Sequence, residues 1–186
     1  MKRSLFALAL AAAIPFSAQA DDKLSYTYIE GNYNYVDADG GAEADGFGVR
    51  GSFEFGESGF YGFGGWNQVE IDGINVDVDS TELGLGYGHG LSDNLDLISE
   101  IAWNDIDVDG FGSEDGYRAS VGLRGSFTEN FEGLIKANYN DGDNADGDFT
   151  GTIGAQYKFT QTWGMVGEAT FGEGGETYLV GLRASF

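Results

Sequence analysis

The sequence predicts an all-β fold, a single up-and-down antiparallel barrel that crosses a membrane, and three observations carry that expectation. Segment after segment alternates apolar and polar residues with a period of two, as a strand needs when one side meets lipid and the other a polar lumen. Beyond Ala20 no apolar run approaches the ~20 residues of a transmembrane helix, and only helices and closed barrels satisfy every backbone group in lipid. A short unit also recurs, as Val49-Arg50-Gly51-Ser52-Phe53, Leu123-Arg124-Gly125-Ser126-Phe127 and Leu182-Arg183-Ala184-Ser185-Phe186. In each copy the Arg and the Phe fall on opposite faces of an extended chain.

Residues 1–20 read as a secretory signal peptide. Lys2 and Arg3 form a basic start, Leu5 to Ile14 an apolar core, and Ala18-Gln19-Ala20 a small-residue cleavage site. Cleavage after Ala20 makes Asp21 the first residue, which is not Cys, so no lipoprotein anchor is expected; residues 21–186 form the barrel domain. Without Cys, disulfides, thiolate metal sites and Cys nucleophiles are excluded. The single Pro, Pro15, leaves with the leader, as suits uninterrupted ladders. A balance of 9 basic against 31 acidic residues argues against nucleic acid as a partner. Aromatic residues at 15% of the chain, together with the alternation, set it apart from an acidic disordered tract.

Ten candidate strands emerge, and for nine of them the apolar face falls on odd-numbered residues. The first, near Leu24 to Tyr35, turns Ile29, Tyr33 and Tyr35 outward and Glu30, Asn32 and Asn34 inward. The second, near Gly46 to Phe55, turns Phe47, Val49 and Phe53 out and Arg50, Ser52 and Glu54 in. The third, near Phe60 to Ile71, is expected to carry Tyr61, Phe63 and Val69 outward and Trp66 and Gln68 inward. The fourth, Ser80 to Gly90, sets Leu83, Leu85 and Tyr87 against Glu82 and inward Gly84, Gly86 and Gly88, which could widen the lumen. The fifth to ninth run near Leu95–Asn104, Tyr117–Phe127, Phe131–Tyr139, Phe149–Phe159 and Trp163–Phe171. Parity switches only across Gly172 to Glu176, so that the closing strand turns Tyr178, Val180, Leu182, Ala184 and Phe186 out.

Four connections are tight turns and five are longer and acidic, the outer-membrane convention of short periplasmic turns and long external loops. Aromatic residues cluster at strand ends as two rings. Phe55, Tyr61, Tyr87, Phe127, Phe131, Phe159, Trp163 and Phe186 form the periplasmic ring; Tyr35, Phe47, Trp103, Tyr117, Tyr139, Phe149, Phe171 and Tyr178 form the outer one. Ten strands is the count these segments support. Eight is the alternative, because Ile74, Val76 and Val78 alternate beyond the third strand and Asp72-Gly73 could turn a hairpin outside the membrane.

The inward faces collect charge: Arg50, Arg118, Arg124, Lys136, Lys158 and Arg183 against Glu30, Glu54, Glu82, Asp96, Glu100, Glu132 and Glu168. Isolated charges in a confined lumen are costly to desolvate, so pairing is expected, with Arg forking onto carboxylates. These residues are read as a packed electrostatic core that plugs the barrel; an ion path built from the same pairs is the alternative. The loops hold the remaining acids and none contains Lys or Arg. Asp105-Ile106-Asp107-Val108-Asp109-Gly110 matches the opening of a calcium loop, but position twelve is Gly116 where a bidentate Glu is needed. Asp141, Asp143 and Asp146 make a similar incomplete set. No cofactor is expected, beyond weak calcium or magnesium at these loops.

Catalysis on such a barrel calls for a His near an Asp or Ser. The only His is His89, placed on the lipid face at the periplasmic end of the fourth strand, where it reads as an interfacial anchor. A non-enzymatic protein is expected.

The ending from Tyr178 to Phe186 resembles the C-terminal signal by which bacterial outer-membrane barrels are recognised for assembly. The wider chain is similar to the small outer-membrane barrel proteins of xanthomonad bacteria, discussed as quorum factors and activators of a plant immune receptor. The residues that carry this resemblance are Met1-Lys2-Arg3-Ser4-Leu5, Leu24-Ser25-Tyr26-Thr27-Tyr28-Ile29-Glu30-Gly31, Trp163-Gly164 and Val180-Gly181 through Phe186. It implies export to the outer membrane of a Gram-negative cell, release in vesicles and no enzymatic role. The expected partners are outer-membrane lipid and lipopolysaccharide, periplasmic chaperones and the barrel assembly machinery. The chain is expected to be monomeric and to bind no nucleic acid. Two functions follow: a plugged surface protein with acidic loops serving envelope integrity or surface interaction, and, as the alternative, a narrow cation-preferring channel.

Overall fold

The computed structural model describes residues 24–74, 76–142 and 145–186, and the side chains of these except 145 and 146. The expected leader, its cleavage site at Ala20, the candidate residue Asp143 and the side chain of Asp146 lie outside the described residues. Ten strands follow one another: β1 (Tyr28–Ala38), β2 (Ala42–Glu54), β3 (Phe60–Ile71), β4 (Val76–Ser92), β5 (Leu95–Val108), β6 (Gly112–Thr128), β7 (Phe131–Gly142), β8 (Ala145–Lys158), β9 (Trp163–Gly172) and β10 (Gly175–Ser185). Each pairs antiparallel with its neighbours in sequence, and β1 pairs with β10 to close the barrel. Closure removes every sheet edge, which is the condition for a sheet to stand in lipid. The eight-strand alternative is set aside.

Several strands outrun the ~10 residues that span a membrane; β4 and β6 each reach 17. The surplus projects at one end as paired hairpins, so the stretches expected as long acidic loops are ladder instead. Ile106 faces Glu114 and Val108 faces Gly112, and the chain reverses only at Asp109 to Phe111. Alternating Ile and Val between the Asp residues keep the backbone extended, and Gly110 and Gly112 take the positive φ that the tight reversal demands. The opposite end carries the compact turns, together with Leu24 and Phe186; by the outer-membrane convention it is the periplasmic end.

Eight strands, not nine, turn their odd residues to the lipid. Directly opposite residues in an antiparallel pair share a face. A hairpin with an odd number of intervening residues therefore preserves parity and one with an even number inverts it. Ala38 faces Ala42 across three residues, and parity holds. Glu54 faces Tyr61 across six, and parity flips on entering β3; Ile71 faces Val76 across four, and it flips back. Gly172 faces Gly175 across two, which gives the expected switch into β10. Trp66 and Phe60 therefore stand outside, at 42% and 56% exposure, and Tyr61, at 3%, is inside. Phe60 takes the place expected for Tyr61 in the periplasmic ring, with its ring centroid 4.6 Å from that of Tyr87.

The same inversion explains the inward glycines of β4. They do not widen the lumen, because each receives an aromatic ring. A Cβ added at Gly84 would meet Phe63 at 2.3 Å, one at Gly86 would meet Tyr61 at 2.2 Å, and one at Gly88 would meet Tyr26 at 2.7 Å. Large apolar side chains such as Val49, Leu83, Leu85, Ile101, Val121, Ile135, Ile153 and Leu182 form the outer belt.

The first strand also begins later than the alternation suggests. Leu24 to Thr27 lie outside any strand, and Leu24 and Tyr26 are buried in one cluster with Tyr61 and Ile98, against which Phe63 and Leu134 pack. These are inward-facing residues, so the segment fills the periplasmic mouth instead of extending the wall.

Candidate functional site

The lumen is the site, and the strands deliver its charged residues in three groups. On the wall of β2, β1, β10 and β9, Arg50 donates from Nε to Glu30 at 2.6 Å and from Nη1 and Nη2 to Glu168 at 2.9 and 2.6 Å. Arg183 donates from Nε to the same Glu30 at 2.8 Å, with its guanidinium carbon 4.0 Å from the centre of the Tyr28 ring. Glu30 is 1% exposed, and two Arg residues with Asn32 satisfy its carboxylate. On the wall of β4 to β7, Arg118 bridges Glu82 at 2.9 Å and approaches Glu100 at 3.9 Å. Glu100 also accepts from Lys136 at 3.1 Å and from the Tyr61 hydroxyl at 2.9 Å. Lower down, Arg124 donates to Glu132 at 2.6 Å, and Lys158 pairs with the other oxygen of that carboxylate.

Above the charges the lumen turns to carboxamides and hydroxyls. Asn34 donates to Asn32 at 2.9 Å and to Asn67 at 3.0 Å. On the facing wall Asn138 donates to Thr152 at 3.0 Å, and the Thr152 and Thr170 hydroxyls are 2.9 Å apart. Between the walls lies a cavity of about 330 Å³, lined by Asn34, Asn67, Ser80, Asn104, Thr152 and Thr170, with Arg50, Arg118, Lys136 and Glu168 at its lower end. Below it the free space contracts to about 80 Å³, bounded by Tyr26, Tyr61, Ile98 and Leu134.

The periplasmic mouth is closed by residues 24–27. The Tyr26 ring stacks on Tyr61 with centroids 4.5 Å apart, and its hydroxyl donates to Asp96 at 2.7 Å. Arg124 donates to the Ser25 carbonyl at 2.8 Å, its guanidinium carbon 4.9 Å from the Tyr26 ring centre. The Ser25 hydroxyl donates to the Phe186 carbonyl at 2.6 Å, and the Glu54 backbone N–H donates to the Thr27 hydroxyl at 3.1 Å.

Every interior charge expected from the sequence is thus lumenal, and Arg50, Arg118, Arg124, Lys136, Lys158 and Arg183 all find carboxylates. Residues 24–27 as a closure, and Tyr61 and Phe63 as its inner packing, were not legible, although the even spacing of the Gly56 to Gly59 turn would have shown the inversion. The first candidate cation loop is laid out along a strand, and of the second only Asp141 has a described side chain. Asp105 and Asp107 lie along extended β5 opposite Asp115 and Ser113, Asp109 sits in the turn, and Asp141 on β7 faces Tyr117 on β6. An extended strand cannot wrap its carboxylates around one ion, and among the described residues no group of three His, Cys, Asp or Glu is placed to hold a metal. In the external hairpins, burial and then the nearby Asp77 push the Asp79 carboxyl above its ordinary value, while a hydrogen bond from Trp66 pulls it down. His89 is exposed beside Tyr87, ring centroids 6.3 Å apart. Of the expected assembly signal, Tyr178 lies in the outer ring beside Phe171 and bonds Glu176, whereas Phe186 ends the chain at the periplasmic mouth with its N–H on the Thr27 carbonyl at 2.9 Å.

A closed antiparallel barrel with an apolar exterior, two aromatic rings and a charged lumen is the architecture of an integral outer-membrane protein. The family model described as outer membrane protein beta-barrel domain matches residues 6–171, and the chain belongs to that family. Among solved structures the fold is similar to the NanC porin, with a TM-score of 0.56 at 10% identity over 86% of this chain and 100% of that one. It is also similar to the KdgM porin, at 0.52 and 14% over 86% and 99%. The β domain of the Bordetella autotransporter BrkA aligns at 0.56 and 8% over 88% and 100%. These likenesses show the fold alone. In sequence the chain is 27% identical to YaiT of Escherichia coli K12 in an alignment of 181 positions that covers 77% of this chain and 18% of YaiT. It therefore spans less than a fifth of the length of that relative.

Proposed function

We propose that this chain is a non-enzymatic outer-membrane barrel, closed at its periplasmic end, whose acidic hairpins face the outside and serve envelope integrity or surface interaction. The single observation behind this reading is the closure itself. Leu24 and Tyr26 are buried against Tyr61 and Ile98 in the lumen, beneath charges that are already paired. Closing the lumen with the chain's own side chains follows the habit of small barrels, whose interiors are largely occupied by them. The hairpins carry Asp and Glu without Lys or Arg. Divalent ions would bridge them to the anionic head groups of lipopolysaccharide, a role in packing the surface that needs no ligand site. Assembly through the barrel machinery, a monomeric state and release in vesicles belong to the same proposal. Single-channel recording tests it: the chain refolded into a planar bilayer, its folding confirmed by heat-modifiable gel migration, stays electrically silent. Discrete steps from the folded protein would overturn it.

A second reading, a narrow cation-preferring channel, is favoured by the cavity of about 330 Å³ beneath the acidic hairpins, which would concentrate cations at its mouth. Steps that shrink when the hairpin Asp residues are changed to Asn would select it.

A further inference from the structure

We propose that the closed barrel is the shut state of a gated passage for small uncharged polar solutes, with residues 24–27 as its movable stopper. The inference rests on the closed-barrel reading above and goes beyond it by assigning the closure to one detachable segment.

The stopper is not part of the wall. Strand pairing starts at Tyr28 opposite Ser52 and Ser185, and the four residues before it carry no strand structure. Its holds are few: the Tyr26 stack on Tyr61, the hydroxyl on Asp96, Arg124 on the Ser25 carbonyl, and the Ser25 and Thr27 contacts at the mouth. Among the described residues one further hold, the Phe186 N–H on the Thr27 carbonyl at 2.9 Å, is a backbone bond to the end of the closing strand; the others involve side chains and can release without breaking such a bond.

The lumen above already holds two cavities that share lining residues. Among the described residues the ion pairs run along the walls: Glu30, Arg50, Glu168 and Arg183 on one side, Glu82, Glu100, Arg118 and Lys136 on the other, and Arg124, Glu132 and Lys158 on β6 to β8. No ion pair among them ties one group to another across the axis. The lower cavity, of about 80 Å³, is lined by Ser52 and Gln156, whose buried Oγ and Nε2 have no protein partner. Polar and roomy, it suits water. It shares Arg50, Tyr61, Glu100, Lys136 and Glu168 with the upper cavity. At the lower end Leu24, Tyr26, Tyr61 and Ile98 pack into an apolar cluster against this space.

The lining also selects the solute. Six cations face seven carboxylates in the lower lumen, so neither sign of charge is strongly favoured there, and the upper walls offer carboxamides and hydroxyls that donate and accept. Small neutral solutes bearing hydroxyls fit that chemistry.

Two variants test the proposal beside the full parent chain: one lacking residues 24–27, and one with Leu24→Gly and Tyr26→Gly, which keeps chain length and every strand residue. Each is reconstituted after heat-modifiable migration shows a folded barrel, then read by planar-bilayer conductance and by liposome swelling in arabinose. The expected result is a silent parent, with steady conductance and arabinose uptake in the variants. Folded variants as silent as the parent overturn the stopper while leaving the closed-barrel reading intact. A parent that conducts as well as its variants overturns both. Variants that pass ions but no arabinose overturn the assigned solute.

Discussion

Arg50 on β2 and Glu168 on β9, 118 positions apart, are joined by two hydrogen bonds of 2.9 and 2.6 Å across the intervening strands β1 and β10. The fork geometry of the guanidinium matches the carboxylate, and the same Arg also serves the fully buried side chain of Glu30. Removing it takes one of two guanidinium partners from the fully buried Glu30 side chain and the forked pair from Glu168. Arg50→Ala should destabilise the barrel by about 3 kcal/mol, read as a lowered urea midpoint for unfolding from lipid vesicles. Glu168→Gln, which keeps the shape and leaves Arg50 on Glu30, should cost less. Equal stability of Arg50→Ala and the parent would show that water, not Arg50, solvates these acids.

Arg124→Ala should also destabilise, by a few kcal/mol, although Lys158 remains on Glu132. It differs from Arg50→Ala in its second effect, because Arg124 also holds the Ser25 carbonyl and covers the Tyr26 ring. Protease sensitivity near residues 24–27 should rise for Arg124→Ala and not for Arg50→Ala.

The parity inversion at β3 makes a spectroscopic prediction. With Trp103 and Trp163 changed to Phe, the remaining Trp66 should be quenched by lipids brominated near the head-group end of their acyl chains, because its ring stands outside the barrel beside Val49 with its N–H on Asp79 at the outer boundary. An inward Trp66 would resist those lipids and answer instead to aqueous quenchers.

Gly86 should not tolerate a methyl group. Gly86→Ala places a Cβ 2.2 Å from the Tyr61 ring, and such overpacking typically costs 1–3 kcal/mol, about 2 as a central expectation. Combined with Tyr61→Ala, the second change should add little further loss, because the ring it collides with is gone. Additive losses in the double-mutant cycle would mean that Gly86 serves the backbone rather than the ring.

Deletion of Phe186 should reduce the amount of folded barrel recovered from outer membranes, measured by heat-modifiable migration against total protein. It removes the terminal aromatic of the expected assembly signal and also both backbone contacts to Ser25 and Thr27. Undiminished recovery would remove Phe186 from assembly.

The class of fold, the inward position of all six interior cations and the approximate strand list can be read from the residues in order, because alternation is a local property that each strand states for itself. Arg124, for example, is flanked by Leu123 and Gly125, and that pattern alone puts its side chain opposite the lipid. The closed barrel settles which carboxylate each cation meets, since Arg50 and Glu168 become neighbours through closure. It decides the facing of β3 as well. Tyr61 and Phe63 are as apolar as any lipid-facing residue, and their direction depends on whether the preceding hairpin has an even or an odd number of residues. Residues 24–27 continue the alternation of β1, yet they leave the wall and fill the mouth. The pocket that receives Tyr26 is assembled from Tyr61, Gly88, Asp96, Ile98 and Arg124, and it exists only once the strands bearing them have closed into a ring.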